Sequence, residues 1–299
     1  MPSPTNALPG GVANLPLAKM RFLQTHLAWA YRGVILPEHC DIHVHDAGVV
    51  SARLYLKGGG VFTSERGRAE VGPGQWFFAP ETPYHHRVEP GSEYYSIQFR
   101  AHWSTGLRLF PSGGFLVAPA KETPALTRAA RDLVALIRRH FPGARHRLGE
   151  VKASLRVWAC LEEQFARWLR HYVELMERLG VASSVAQVTD ARVGRALALL
   201  ADALPRGGLS LQEMARAVGC GRNHFARLFL REVGEPYSTV ADRLRLERVL
   251  ECLETGSGRA KEAAFAAGFA SLPHFSRWFR RQTGLSPRAY WAKIAPSKG

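Results

Sequence analysis

The feature that most constrains this fold is a repeat near the end of the chain. Ala215–Gly219 matches Ala264–Gly268 at an offset of 49, and His224–Phe229 matches His274–Phe279 at an offset of 50. Gly234 and Gly284 then fall at the same offset of 50, so the one inserted residue lies between the matched blocks, at a turn. Each copy reads as a short helix, a tight turn with Gly, a second helix and a Gly stop. That is the helix-turn-helix plan, in which the second helix can lie in a major groove.

Spacing assigns the faces. Phe225, Leu228 and Phe229, and in the second copy Phe275, Trp278 and Phe279, recur at i, i+3, i+4, the interval that packs one helix onto another. Arg222, Asn223, Ala226 and Arg227 are left outward in the first copy, with Leu272, Pro273, Ser276 and Arg277 in the second. Ser271 suits an N-cap and Pro273 the first turn behind it, while Gly221 is a tolerated cap for the earlier helix. Leu211–Ala217 and Arg259–Ala267 are the expected supporting helices. One long helix over Thr239–Leu253 is expected to join the two copies.

The formal charge of +15 is densest in this region and favours a polyanion. No run approaches the ~18 apolar residues of a membrane helix, so no membrane partner is expected. The N-terminus does not read as a signal peptide. Four scattered cysteines form no C-x-x-C pair, which suggests a reducing cytoplasm.

Upstream, residues 17–103 read as short strands broken by Gly58–Gly60, Gly72–Gly74 and Pro90–Gly91, as in a small barrel or sandwich. From Pro124 to Leu179 the period changes to three and four. Leu126, Ala130, Leu133 and Ile137, then Leu155, Trp158, Leu161, Phe165, Leu169 and Tyr172, predict two amphipathic helices interrupted at Pro142–Gly143. Val181–Gln187 reads as a linker.

The runs Lys261–Ser271 and His274–Tyr290 closely resemble the signature of the AraC/XylS family of bacterial transcription regulators, over about residues 189–294. The resemblance implies seven helices with two recognition helices in successive major grooves. By position it implies base contacts from Asn223, Ala226, Arg227, Leu272, Pro273, Ser276 and Arg277, and Arg222 and Arg281 are expected to face phosphates. It also implies double-stranded promoter DNA as partner, RNA polymerase as a further one, a homodimer, and activation as the commoner mode. Family members of this length often carry a cupin-like β-barrel that binds a small molecule, commonly a sugar. The expected ligand residues are His43, His45, Arg53, Tyr55, Trp76 and His86. His43 and His45, two apart on a strand, share one face.

The expected fold class is therefore α+β: a cupin-like β-barrel with C-terminal helices, followed by an all-α double helix-turn-helix domain. The expected divisions are 1–123 for the sensor, 124–180 for a helical dimerisation segment, 181–188 for the linker and 189–299 for DNA binding. No cofactor or metal and no catalysis is expected. One alternative is a metal-dependent cupin enzyme fused to a helical domain, using His43, His45 and His85 or His86, although no Glu follows the pair. Another is an architectural nucleic-acid-binding protein without a ligand. Phosphate-loop, dinucleotide, zinc-protease and nucleophile-elbow signatures are missing.

Overall fold

The computed structural model describes residues 23–44, 49–79, 83–111, 113–142, 144, 148, 151–184, 188–204, 207–255 and 260–294. Nine strands come first: β1 Leu23–Val34, β2 Asp41–Val44, β3 Val50–Lys57, β4 Gly60–Ser64, β5 Gly67–Val71, β6 Gln75–Ala79, β7 Tyr84–Val88, β8 Glu93–Trp103 and β9 Leu116–Pro119. They form two antiparallel sheets, one ordered β1-β8-β3-β6-β9 and the other β2-β7-β4-β5. The α+β expectation holds, but the strands make two facing open sheets rather than one closed barrel.

Alternation explains why both faces of the larger sheet are buried. On β3 and β6, Ala52, Leu54, Trp76 and Phe78 point to one side, joining Ile97 and Phe99 of β8 in a core that continues into helices. Tyr55, Phe77 and Ala79 point to the other side, where they meet Phe62, Val71, Tyr84 and Val88 of the smaller sheet. A strand buried on both faces loses the polar-out signature that sequence reading relies on.

Helices α1 (Pro124–His140) and α2 (Leu155–Arg178) cover the outer face of the larger sheet. Here the Phe99 ring meets Trp168 at 5.1 Å and Tyr172 at 5.2 Å, both edge-on. The later turns of α2 are thus consumed within the chain. Its first turns are not: Leu155 is 84% exposed and Trp158 54%.

Seven helices follow: α3 Ala191–Ala203, α4 Leu211–Ala217, α5 Arg222–Val233, α6 Tyr237–Thr255, α7 Ala260–Ala266, α8 Leu272–Thr283 and α9 Pro287–Ile294. Val240 and Ala241 of α6 join the core of the first helical unit, while Leu246, Val249 and Leu250 join that of the second. One helix therefore belongs to both units.

The two halves of the chain share one apolar core and also meet through polar contacts. Arg108, in the loop after β8, donates from Nη1 to Glu235 Oε1 at 2.5 Å, and Arg243 of α6 donates to the other carboxylate oxygen. All three side chains are buried. His102 Nδ1 lies 2.8 Å from Glu247 Oε1. Beside them Gly106, at φ +77°, lies so close to α6 that a Cβ there would sit 2.2 Å from the Leu244 side chain. Only glycine fits both that backbone and that gap.

Candidate nucleic-acid interface and sensor site

The first unit is built by local chemistry. Ser210 caps α4 by accepting from the Glu213 N–H, and Glu213 accepts in return from the Ser210 N–H at 2.8 Å. That reciprocal box contributes about 1 kcal/mol to such a helix. Gly219 turns the chain at φ +72°, Gly221 caps α5, and Gly234 ends it at φ +77°. Tyr237 fastens α6 by donating to the Leu209 carbonyl at 2.7 Å. Glu232 ties the end of α5 to the start of α3, accepting from the backbone of Asp190 and Thr189. Those bonds hold its carboxyl down to about 2.

The second unit repeats the plan with different fastenings. Gly268 turns it at φ +78° and Gly284 ends α8 at φ +74°. Ser271 occupies the N-cap position but makes no cap bond, contrary to the sequence expectation; Pro273 does sit in the first turn. Asp242 of α6 holds α8, accepting from Trp278 Nε1 at 2.8 Å and from Gln282 Nε2 at 3.3 Å.

Packing of Phe225, Leu228 and Phe229, and of Phe275, Trp278 and Phe279, leaves one face of each second helix outward. Asn223, Arg227 and Arg222 are exposed and Ala226 half-buried; Leu272, Pro273, Ser276 and Arg277 are all exposed. Arg222, Arg227 and Arg277 form no ion pair among the described residues. Arg281 is exposed too, 3.9 Å from Asp242. Two helices thus present donor-bearing faces that the protein itself does not satisfy, as a polyanion groove requires.

The sensor candidates separate. Arg53, Tyr55 and His86 come together between the two sheets, all buried. Trp76 lies on the opposite face of the larger sheet, donating to Thr127 Oγ1 at 3.0 Å. His43 lies on the outer face of the smaller sheet, its ring 4.4 Å from that of His85, which in turn bonds Asp41 at 2.5 Å. His45 lies outside the described residues. Neither Trp76 nor His43 lies beside Arg53. Among the described residues no group of three or more His, Cys, Asp or Glu is placed to hold a metal ion.

Three tyrosines that sequence reading missed complete the inter-sheet cluster. Arg53 Nη2 donates to Tyr84 Oη at 3.3 Å, and its guanidinium lies 5.9 Å from the centre of the Tyr94 ring. Tyr94 shares a 2.9 Å hydroxyl bond with Tyr31. Burial opposes the Arg53 charge and the surrounding tyrosines favour it, while the guanidinium keeps its proton in any case. His86 faces the reverse: burial, with the Arg53 charge nearby, pushes it down to about 4. Register would have found Tyr94 and Tyr31, because Arg53 pairs with Ser96, Tyr55 with Tyr94, and Tyr31 also with Ser96, whereas Tyr84 comes from the facing sheet.

The C-terminal part is built as two helix-turn-helix units that share α6. The helix-turn-helix domain family matches residues 214–293. The regulator GbdR of Pseudomonas aeruginosa is 35% identical over 80 residues, covering 27% of this chain and 22% of that protein. MtrA of Neisseria gonorrhoeae is 26% identical over 122 residues, covering 41% of this chain and 40% of that protein. The matches thus span about a fifth to two fifths of those relatives. ToxT of Vibrio cholerae shares the fold over 92% of this chain and 99% of its own, with a TM-score of 0.54 at 12% identity. Residues 214–293 thus belong to the helix-turn-helix domain family, and the chain as a whole has the fold of ToxT. No described helix is long and apolar enough to cross a membrane.

Proposed function

We propose that the chain is a ligand-responsive regulator that reads duplex promoter DNA with α5 and α8 in successive major grooves. The observation that carries this is the pairing of two exposed, Arg-bearing helix faces on units that share α6. Arg227 and Arg277 read bases, helped by Asn223 and Ser276, with Ala226, Leu272 and Pro273 supplying apolar contact. Arg222 and Arg281 take phosphates. An arginine bidentate to guanine supplies about 1–3 kcal/mol of discrimination.

Selection of bound DNA fragments defines the operator, and titration across salt then separates the roles. Arg227→Ala is expected to relax sequence preference by about 10–100-fold. Arg222→Ala is expected to weaken every sequence alike and lower the salt slope by about one. Unchanged affinity and preference in Arg227→Ala would end this reading.

The sandwich is the sensor in this proposal. The inter-sheet cluster of Arg53, Tyr55 and His86 holds a small effector, and the Arg108–Glu235–Arg243 junction carries its influence to the DNA-binding half. The protein acts as a homodimer through the exposed start of α2. Light scattering of Trp158→Glu against the parent tests that assignment, with a monomer expected. Family resemblance favours activation through RNA polymerase, which a promoter-reporter assay decides.

A further inference from the structure

We propose that the effector between the sheets is a compact anion: a carboxylate that pairs with Arg53 and carries a neighbouring hydroxyl or N–H that donates to His86. This rests on the reading of the sandwich as the sensor.

The argument begins with a charge sealed in the protein. Arg53 is 9% exposed, and its Nε and Nη1 have no hydrogen-bond partner. Its well-formed hydrogen bond among the described residues goes to Tyr84, and no carboxylate among them pairs with it. A guanidinium does not shed its proton, so burial here leaves a cation without an anion. The same chain shows the compensated arrangement elsewhere, where buried Arg108 and Arg243 both lie on Glu235.

The open donors set the geometry of what is missing. Tyr84 takes one of the two Nη2 hydrogens, so at least one forked edge of the guanidinium remains open. Two carboxylate oxygens match such an edge. A neutral sugar would satisfy hydrogen bonds there but leave the charge standing.

The second half of the ligand follows from His86. Its Nε2 lies 3.2 Å from the His39 carbonyl, so this nitrogen carries the hydrogen of the neutral ring. Nδ1 is then a bare acceptor, buried and without a partner. The buried Tyr55 hydroxyl lies against the Arg53 guanidinium, at a geometry too poor for a well-formed hydrogen bond. Phe62, stacked at 3.8 Å on Phe77 and 5.8 Å from His86, walls one side with carbon. Hydroxy-carboxylates such as sugar acids present the acceptor and the donor that this lining lacks.

Thermal shift and calorimetry on the full chain test the class. The probes are D-glucuronate, D-gluconate and benzoate against neutral D-glucose and L-arabinose, each at about 10 mM. The expected result is saturable stabilisation by a hydroxy-carboxylate, with glucose inert. Arg53→Met is expected to weaken that binding about a hundredfold while raising the melting temperature of the ligand-free protein. His86→Leu is expected to lower discrimination between hydroxy-acids and benzoate. Failure of every acid to bind, or acid binding indifferent to Arg53→Met, overturns the proposal. If a neutral sugar binds instead, the sensor reading stands and only the charge assignment falls. If nothing binds while DNA titration succeeds, the sensor reading falls with it.

Discussion

Two buried sites in this molecule treat arginine in opposite ways. At the junction between the halves, Arg108 and Arg243 close on Glu235, pinning the loop after β8 to the turn that ends α5. Between the sheets, Arg53 has tyrosines around it and no acid among the described residues. The first is a finished contact, because each cation has its anion and the groups lock two elements together. The second is unfinished, because aromatic faces and phenol oxygens only partly replace a counter-ion. On the proposed reading, the effector's carboxylate completes it.

The largest effect should come from breaking the finished site. Glu235→Ala removes the carboxylate that two buried arginines share and should cost about 3–5 kcal/mol, read as a loss of chemical-denaturation midpoint. The same change should also weaken DNA binding, since Glu235 directly follows the glycine that ends α5. An unaltered midpoint would show that the junction is not a closed contact.

The next effect concerns acid. His86 sits near 4 in the folded protein against about 6.5 when unfolded. Between those values the unfolded chain takes up a proton that the folded chain refuses. Stability is therefore full above about pH 6.5 and falls as pH drops toward 4, by on the order of 2–3 kcal/mol. Denaturation across that window should flatten in His86→Leu, and an equal slope in both proteins would refute the assignment. The smallest effect should be Tyr84→Phe, which removes the well-formed hydrogen bond of Arg53 and should cost about 1 kcal/mol. It sharpens the contrast because a much larger loss would mean that Tyr84, rather than an absent anion, carries the charge.

The two halves of the chain were not equally readable. The helical domain was legible because its faces follow from i, i+3, i+4 spacing within single helices, and its turns from Gly219, Gly234, Gly268 and Gly284. Even Leu211–Ala217 falls where expected. In the sandwich, period-two alternation says that Arg53 and Tyr55 share a face but not which face of the sheet that is. Trp76 shows the cost: it belongs to the helix-covered side, and a strand buried on both sides offers no polar residues to mark the difference. The Arg108–Glu235 bond joins residues 127 apart, a pairing that local pattern cannot foretell. Ser271 is a different case, a favourable cap residue whose hydroxyl makes no cap bond.

The helix common to both units has a consequence for the DNA itself. At 19 residues α6 is about 28 Å long, and its two ends sit in separate hydrophobic cores, so it works as a ruler that neither unit can slide along. The distance and rotational phase between the two reading heads are thereby set by the protein. Inserting about five base pairs between the two half-sites would turn the second groove to the far side of the duplex. If α5 and α8 read DNA as proposed, an operator for this chain is thus defined as much by its spacing as by its letters.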